Sequence, residues 1–170
     1  GGGGGTQVAG LAYGGFDSGN MVSTEEYDGT SWTAGGNLAT ARRSFSGHDT
    51  GTQTSGLVAG SNAGANTTEE YDGTSWAAGG NLGTGRENAA AAGANNTNAF
   101  IVGGADSGGT TLSSTEDYNG TSWAAGGSGH GARNYPAGTG TVAAGLSCGG
   151  RDAAPTTQPT TYEYSTITTT

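Results

Sequence analysis

Short apolar runs recur along the chain, and each of them ends in glycine. The four runs are VAGLAYGG at 8–15, SGLVAG at 55–60, AFIVGG at 99–104 and VAAGLSCGG at 142–150. Between the runs Gly, Ser, Thr and Asn dominate, and no stretch repeats its apolar residues with the 3.6-residue period of an amphipathic helix. Short apolar runs bounded by turn-forming residues are typical of β-strands. The pattern therefore predicts a chain built of short strands.

A nine-residue string follows each of the first three runs. TEEYDGTSW stands at 24–32 and again at 68–76, TEDYNGTSW stands at 115–123, and a degraded copy, TYEYS, begins at Thr161. Asp-Gly and Asn-Gly supply the positive φ angles that a two-residue hairpin turn requires, and Thr, Tyr and Trp favour strands. Each string is therefore predicted to form a strand, a tight turn and a second strand.

Aromatic and basic residues keep the same offsets in every full copy. The repeated positions are Tyr27, Trp32 and Arg42, then Tyr71, Trp76 and Arg86, then Tyr118, Trp123 and Arg133. Four short strands with their turns occupy roughly 40–50 residues, which is the length of one propeller blade. The spacing predicts one repeat domain with units at 1–38, 39–82, 83–129 and 130–170.

An apolar run ending in Gly-Gly, followed by Tyr, Trp and Arg, resembles the kelch repeat. The resemblance implies an all-β fold of four-stranded β-propeller blades, with Gly-Gly closing the second strand, Tyr on the third strand and Trp starting the fourth. The second unit departs from the pattern with Gly60-Ser61, and the fourth unit has no Trp. The sequence EYDGTSW, followed by GGNL, is also similar to sequences of Gly/Thr-rich kelch-like proteins of marine bacteriophages.

The ends of the repeat predict incomplete blades. The first strand is expected near Val8 and the last at about 162–168, so that the blades hold three, four, four and three strands. The first blade would lack its innermost strand and the last its outermost. Exposed strand edges favour pairing with other chains. Other copies, the rest of a longer chain or stacking into a fibre would complete these blades.

Composition by itself would indicate disorder. Leu, Ile, Val and Phe make up fewer than a tenth of the 170 residues, 37 residues are Gly, and the net charge is −9. Few large apolar residues together with high net charge mark disordered chains. However, a disordered linker has no physical reason to hold Tyr, Trp and Arg at fixed offsets. We therefore predict a folded chain whose interior is made of small residues, so that backbones approach closely.

Charge excludes two classes of partner. All five basic residues are Arg and they face 14 acidic residues, whereas binding to phosphate groups requires a basic face. No nucleic-acid or anionic membrane partner is therefore expected. Membrane insertion is not expected either, because no apolar run approaches the roughly 20 residues of a membrane-spanning helix.

The repeated charged residues have a functional and a structural interpretation. The Arg column could form an anion-binding ring near a propeller channel, or each Arg could be held by a repeated carboxylate or stacked on Trp. The carboxylates expected to hold it are Glu26, Glu70 and Asp117. The doubled acids 25–26, 69–70 and 116–117 could suggest paired-carboxylate catalysis, but adjacent strand residues point to opposite faces. We expect structural roles, with one acid of each pair solvated.

No cofactor or metal site is predicted. His48 and His130 occupy different repeat positions, and neither HxH nor CxxC spacing occurs. Some kelch propellers are copper oxidases that use Tyr, Cys and two His, but no motif links these residue types here. Cys148, the only cysteine, lies in an apolar run and is expected to be a small core residue.

Four loops vary while the repeat stays constant, and they are the candidates for binding. Their sequences are FDSGNMVS, SNAGANT, ADSGGTTLSS and RDAAPTTQPT. Variation on a constant scaffold is where binding specificity resides, unless the loops have drifted without selection. We expect a non-enzymatic structural or binding protein, on a bacteriophage virion surface or tail fibre. Its partners would be other copies, other virion proteins and host surface glycans. A microbial cell-surface or extracellular fibre is the second hypothesis, and a carbohydrate-active propeller enzyme the third.

Overall fold

The computed structural model describes residues 1–46, 51–127, 131–154 and 157–164. These residues contain strands, turns and bends but no helix. Four antiparallel sheets follow one another along the chain as the blades of a β-propeller. The all-β, four-blade prediction is confirmed. Within the same ranges, no helix is long and apolar enough to cross a bilayer.

Each blade is a meander whose strands pair in chain order. Blade 1 contains β1 (Gly2–Thr6), β2 (Ala9–Tyr13), β5 (Thr24–Tyr27) and β6 (Trp32–Ala34), with a separate hairpin of β3 (Phe16–Asp17) and β4 (Gly19–Asn20). Blade 2 contains β7 (Gly51–Thr52), β8 (Ser55–Ser61), β9 (Ala65–Tyr71) and β10 (Trp76–Ala78). Blade 3 contains β11 (Ala90–Asn95), β12 (Asn98–Val102), β13 (Thr115–Tyr118) and β14 (Trp123–Ala125). Blade 4 contains β15 (Ala137–Thr141), β16 (Ala144–Cys148) and β17 (Thr161–Tyr164).

The first strand of blade 1 is the glycine run itself, and the expectation that this blade lacks its innermost strand was wrong. Strand β1 pairs with β2 along its whole length. Glycine carries no side-chain alternation, so the pattern could not identify this strand. The packing requires small residues here, because a Cβ on Gly2 would lie 2.6 Å from Cε2 of Phe45, and one on Gly3 would lie 2.8 Å from the carbonyl oxygen of Leu11. Within the described residues the blades thus hold four, four, four and three strands, and 165–168 of the predicted last strand lie outside those residues.

The innermost strands of successive blades pack side by side. β1 contacts β7, β7 contacts β11, and β11 contacts β15. Their sequences, GGGGT, GT, AAAGAN and AGTGT, contain no large side chain. Small residues let these backbones approach closely where the blades converge. The predicted small-residue interior is therefore found at the inner end of each blade.

The larger apolar residues are buried between blades. Leu11 of blade 1 packs on Gly56 of blade 2, where an added Cβ would lie 2.8 Å from the Leu11 side chain. Phe100 of blade 3 packs in the same way on Gly145 of blade 4. Each blade therefore offers a large side chain to a small residue in the next blade, and the apolar core consists of layers between the sheets.

The repeated turn is longer than predicted. Strand β5 ends at Tyr27 and β6 begins at Trp32, so 28–31 form a four-residue connection in place of the expected two-residue turn. Only its glycine adopts a positive φ, 93° at Gly29. Asp28 accepts hydrogen bonds from the backbone N–H groups of Thr30 and Ser31, both at 2.8 Å. These bonds lower the pKa of the Asp28 carboxyl.

The two outer faces of the blade series are open to solvent. Leu11 and Phe100 are at most 2% exposed, but Leu146, at the matching position of blade 4, is 41% exposed. Cys148 lies on the same face of β16 and is exposed as well. The expectation that Cys148 is a core residue was wrong, because none of the described blades covers this face.

Candidate functional site

Two of the repeated arginines are fully buried between blades. Arg42 and Arg86 have no solvent-exposed surface. The guanidinium of Arg86 donates to the carbonyl oxygens of Gly103 (2.9 Å) and Ser114 (3.0 Å) in blade 3. Arg42 makes the matching bonds to Gly60 and Thr67 in blade 2. Each arginine therefore joins the end of one blade to the next blade.

The carboxylate that holds each arginine is the first acid of the doublet in the following blade. Arg42 Nη2 lies 2.5 Å from Glu69 Oε1, and Arg86 Nη2 lies 2.7 Å from Glu116 Oε1. The predicted partners Glu26, Glu70 and Asp117 were wrong. Burial lowers the pKa of the Arg86 guanidinium, and the charge of Glu116 opposes that shift.

The second acid of each doublet faces the opposite neighbour. The hydroxyl groups of three tyrosines donate hydrogen bonds to these acids in the preceding blade: Tyr71 to Glu26, Tyr118 to Glu70 and Tyr164 to Asp117. Burial raises the pKa of Tyr71 and of Tyr118 to about 12, and the hydrogen-bonded carboxylate adds to both shifts. Burial also raises the pKa of Asp117, against the bond from Tyr164.

The doubled acids are thus not arranged as a catalytic pair. Glu69 faces Arg42 of blade 1, whereas Glu70 faces Tyr118 of blade 3. The prediction that the two acids point apart is confirmed. The prediction that one of them is solvated was wrong for blades 2 and 3, where Glu69 and Glu116 are buried and Glu70 and Asp117 are half-buried. It holds for blade 1, where Glu25 is exposed.

The Gly-Gly pair after each Trp makes room for the next blade. An added Cβ on Gly79 would lie 2.6 Å from the Tyr118 hydroxyl, and one on Gly80 would overlap the carbonyl oxygen of Thr121. Gly35 and Gly36 stand in the same relation to Tyr71 and to Thr74. The repeated glycines therefore follow from the contacts of the repeated tyrosines.

The repeated tryptophans are not equivalent. The indole N–H groups of Trp76 and Trp123 donate to Thr24 Oγ1 and Thr68 Oγ1 of the preceding blade, both at 2.9 Å. Trp32 is 52% exposed, because no described blade precedes blade 1. The threonine partners were not identified as site residues, although a Thr opens every copy of the nine-residue string and marks the position.

Arg133 lacks the carboxylate that the other two arginines bind. Its side chain makes one hydrogen bond within the described ranges, from Nη1 to the carbonyl oxygen of Ala132 (3.1 Å). Its buried Nε has no partner. The residue of blade 4 that matches Glu69 and Glu116 in register is Tyr162. The third arginine is therefore buried without a counter-ion among these residues.

The described part of the chain shows no candidate cluster of metal-binding side chains. No group of three or more His, Cys, Asp or Glu residues converges there. Cys148 is exposed on the open face of blade 4. His48 and His130 lie outside the described residues.

The four variable loops share one edge of the propeller, which we call the loop face. They are 16–23, 61–67, 105–114 and the described residues of 151–160, each joining the second strand of a blade to the third. Neighbouring loops touch, since Asn20 Nδ2 donates to Asn62 Oδ1 at 3.0 Å and Gly64 packs against Ser107. The loop face is therefore a continuous surface.

The segments that link the blades carry a strained residue two positions after each arginine. Ser44, Asn88 and Tyr135 have φ angles of 53°, 54° and 58°. The Asn88 N–H donates to the Ser44 carbonyl at 2.7 Å, and the Tyr135 N–H donates to the Asn88 carbonyl at 2.9 Å. This left-handed conformation suits Asn, but it is an outlier for a bulky residue such as Tyr.

Tyr135 lies at the edge of a groove on the loop face. The groove has a volume of about 360 Å³ and lies between the loop 105–114 and the loop 151–160. Thr110, Asn134, Arg151 and Asp152 contribute polar groups to its lining. Tyr135 is 59% exposed. Packing alone does not explain why the strained, exposed ring of Tyr135 lies beside a polar groove. The sequence pattern did not identify Tyr135 as a candidate site residue.

A search of protein-family models finds no match to this chain, and a search of curated proteins finds no relative.

We predict that Glu116→Gln destabilises the protein by about 3 kcal/mol, because it leaves the buried Arg86 guanidinium without a counter-ion. Glu25→Gln is the matched control. It changes the corresponding acid of blade 1, which is exposed, and should shift the free energy of unfolding by less than about 0.5 kcal/mol. Chemical denaturation measures both. Equal effects of the two substitutions would contradict the assignment of the buried ion pair.

We also predict that Tyr162→Glu stabilises the protein by about 1–2 kcal/mol relative to Tyr162→Gln, because only the carboxylate supplies a counter-ion to Arg133. Both variants lose the tyrosine ring, so the comparison isolates the charge. The advantage should be present at neutral pH and disappear as the pH falls through the carboxyl pKa, because an ion pair lowers that pKa in the folded state. A Gln variant as stable as the Glu variant at pH 7 would contradict the prediction.

Proposed function

We propose that this chain is a non-enzymatic structural and binding protein built of kelch-type blades, located on the surface or tail fibre of a bacteriophage virion. Its partners are other copies of itself or other virion proteins, and host surface glycans. The single observation that carries the proposal is that the scaffold residues and the loop residues have separate roles. The repeated charged and aromatic residues hold blade to blade, whereas the sequence variation is collected on the loop face.

The chemistry of the repeated residues supports a structural role over an enzymatic one. A general acid or base must reach a substrate. Glu69 and Glu116 are buried in ion pairs, and Glu70 and Asp117 hold tyrosine hydroxyls. These carboxylates therefore bind residues of the neighbouring blade. A carbohydrate-active enzyme would need a different set of acids.

The groove beside Tyr135 supports glycan binding. Sugars present a face of C–H groups that packs on an aromatic ring and a rim of hydroxyls that bind polar side chains. The groove offers the exposed Tyr135 ring together with Arg151 and Asn134. Two of its lining residues are held together, because Asn134 and Arg151 exchange backbone hydrogen bonds of 2.8 and 2.7 Å. Backbone strain retained at an exposed position is typical of a functional contact.

The location can be tested by electron microscopy. Antibodies raised against the purified chain should label the outside of intact phage particles whose genome encodes it, at the capsid surface or the tail fibres. Preabsorption of the antibodies with the purified chain is the control. Labelling of uninfected cell envelopes and not of virions would support the alternative of a microbial surface fibre and overturn the virion assignment.

The glycan contact can be tested with two substitutions at one residue. Tyr135→Asn removes the ring and keeps a residue that the matching position 88 accommodates in the same conformation. Tyr135→Phe keeps the ring. On an array of bacterial capsular and lipopolysaccharide glycans, we expect the Asn variant to bind about tenfold more weakly than the native chain, and the Phe variant to stay within about threefold. The native chain binding no glycan, or the Asn variant binding equally well, would overturn this contact.

A further inference from the structure

The two open faces of the blade series carry complementary halves of one interface. We call the face of blade 1 that no described blade covers the leading face, defined by Gln7, Gly10, Tyr27 and Trp32. The corresponding face of blade 4 is the trailing face, defined by Leu146, Thr161, Glu163 and the carbonyl of Tyr164. Leu146 is 41% exposed and Trp32 is 52% exposed, and Gln7, Thr161 and Glu163 are also exposed.

The internal interface between blades 1 and 2 shows what these residue types do. Leu11 packs on Gly56, and the Tyr71 hydroxyl donates to Glu26. The Trp76 indole donates to Thr24 at 2.9 Å, and Gln53 Nε2 donates to the carbonyl of Tyr27 at 3.1 Å. Blade 1 thus supplies a Leu, a Glu, a Thr and a carbonyl, and blade 2 supplies a Gly, a Tyr, a Trp and a Gln.

The interface between blades 2 and 3 repeats the set with small changes. Tyr118 donates to Glu70, Trp123 donates to Thr68 at 2.9 Å, and Asn96 takes the place of the glutamine with a bond of 3.2 Å to the carbonyl of Tyr71. Three of the four contacts therefore recur at equivalent positions, and in place of the Leu–Gly contact Leu57 shares a buried apolar cluster with Ala99, which matches Gly56 in register. Together they define the interface by chemistry and by register.

The open faces hold this set of eight groups at the matching positions. In strand register, Leu146 stands opposite Glu163 as Leu11 stands opposite Glu26. Gln7 lies three residues before Gly10, as Gln53 lies three residues before Gly56. Among the described residues, no blade covers the leading face and no blade covers the trailing face.

We propose that a second copy of this chain docks head to tail, with its leading face on the trailing face of the first. Leu146 then packs on Gly10 of the second copy, the Tyr27 hydroxyl donates to Glu163, the Trp32 indole donates to Thr161, and Gln7 donates to the carbonyl of Tyr164. Blade 1 of the second copy then follows blade 4 of the first copy as the fifth blade of the series, in the register of the internal interfaces. It rests on the structural role proposed above and names the surface through which copies associate.

Head-to-tail docking joins two different surfaces, so each copy keeps one of each for another copy. Such heterologous contacts form a closed ring if the rotation closes and an open series if it does not. Two copies place eight blades in sequence, within the four to eight blades that propellers use. The self-pairing of two identical faces would bring Leu146 against Leu146 and leave the Glu163 carboxylates facing each other, without the tyrosine that each internal interface provides.

A complementation experiment tests the proposal. Leu146→Asp blocks the trailing face and leaves the leading face intact, whereas Trp32→Ala weakens the leading face and leaves the trailing face intact. Both residues are exposed, and circular dichroism with thermal melting shows whether each variant keeps the native fold. In sedimentation velocity, the native chain should associate as concentration rises, and each variant alone should associate at least about tenfold more weakly.

A mixture of the two variants gives the decisive result. The trailing face of the Trp32→Ala variant and the leading face of the Leu146→Asp variant are both native, so the mixture should form a 1:1 complex with near-native affinity. A native chain that stays monomeric, a Leu146→Asp variant that associates as the native chain does, or a mixture that fails to associate would overturn the proposal. None of these outcomes affects the glycan measurement at Tyr135, so the two proposals fail separately.

Discussion

The buried ion pair between an arginine that ends one blade and a glutamate in the next is the interaction on which the packing of the first three blades depends. Arg42 and Arg86 have no contact with solvent, and each bonds to two backbone carbonyls of the neighbouring blade as well as to its glutamate. Removing either partner leaves an unpaired charge buried between the blades, and this costs far more than the pair contributes when intact. The ion pair therefore specifies which residue of one blade meets which residue of the next.

Polar contacts are needed to define how the blades pack, because the chain has few large apolar residues. Blades made of Gly, Ala, Ser and Thr bury little surface per residue, and a purely apolar contact between such sheets would not define a unique register. The tyrosine–carboxylate and tryptophan–threonine hydrogen bonds add direction to each interface. The glycines next to them are required because a Cβ would collide with the tyrosine hydroxyl or with the backbone of the next blade. The packing of these blades therefore requires both the small residues and the buried polar contacts.

The same arrangement separates stability from binding. The side chains that fix the blades point into the interfaces, and the loops that vary share one edge. A change in a loop therefore leaves the ion pairs and the tyrosine contacts in place, except at Thr67 and Ser114, which accept hydrogen bonds from Arg42 and Arg86. Tyr135 is the exception that connects the two regions, because it extends the backbone ladder through Ser44 and Asn88 while its ring faces solvent.

The amino-acid sequence by itself determined the strands that carry a side-chain pattern, the four-blade series and the register of Tyr and Trp at the outer hairpin, since these depend on local chemistry. It did not reveal β1, because glycines have no side-chain alternation, and the constant offsets did not distinguish Trp32 from Trp76. Tertiary structure decided the glutamate partners of Arg42 and Arg86, the exposure of Cys148 and the lack of a counter-ion for Arg133 among the described residues. Strand alternation places two adjacent acids on opposite faces, but which face meets the preceding blade, and whether a blade follows at all, depends on how the sheets stack.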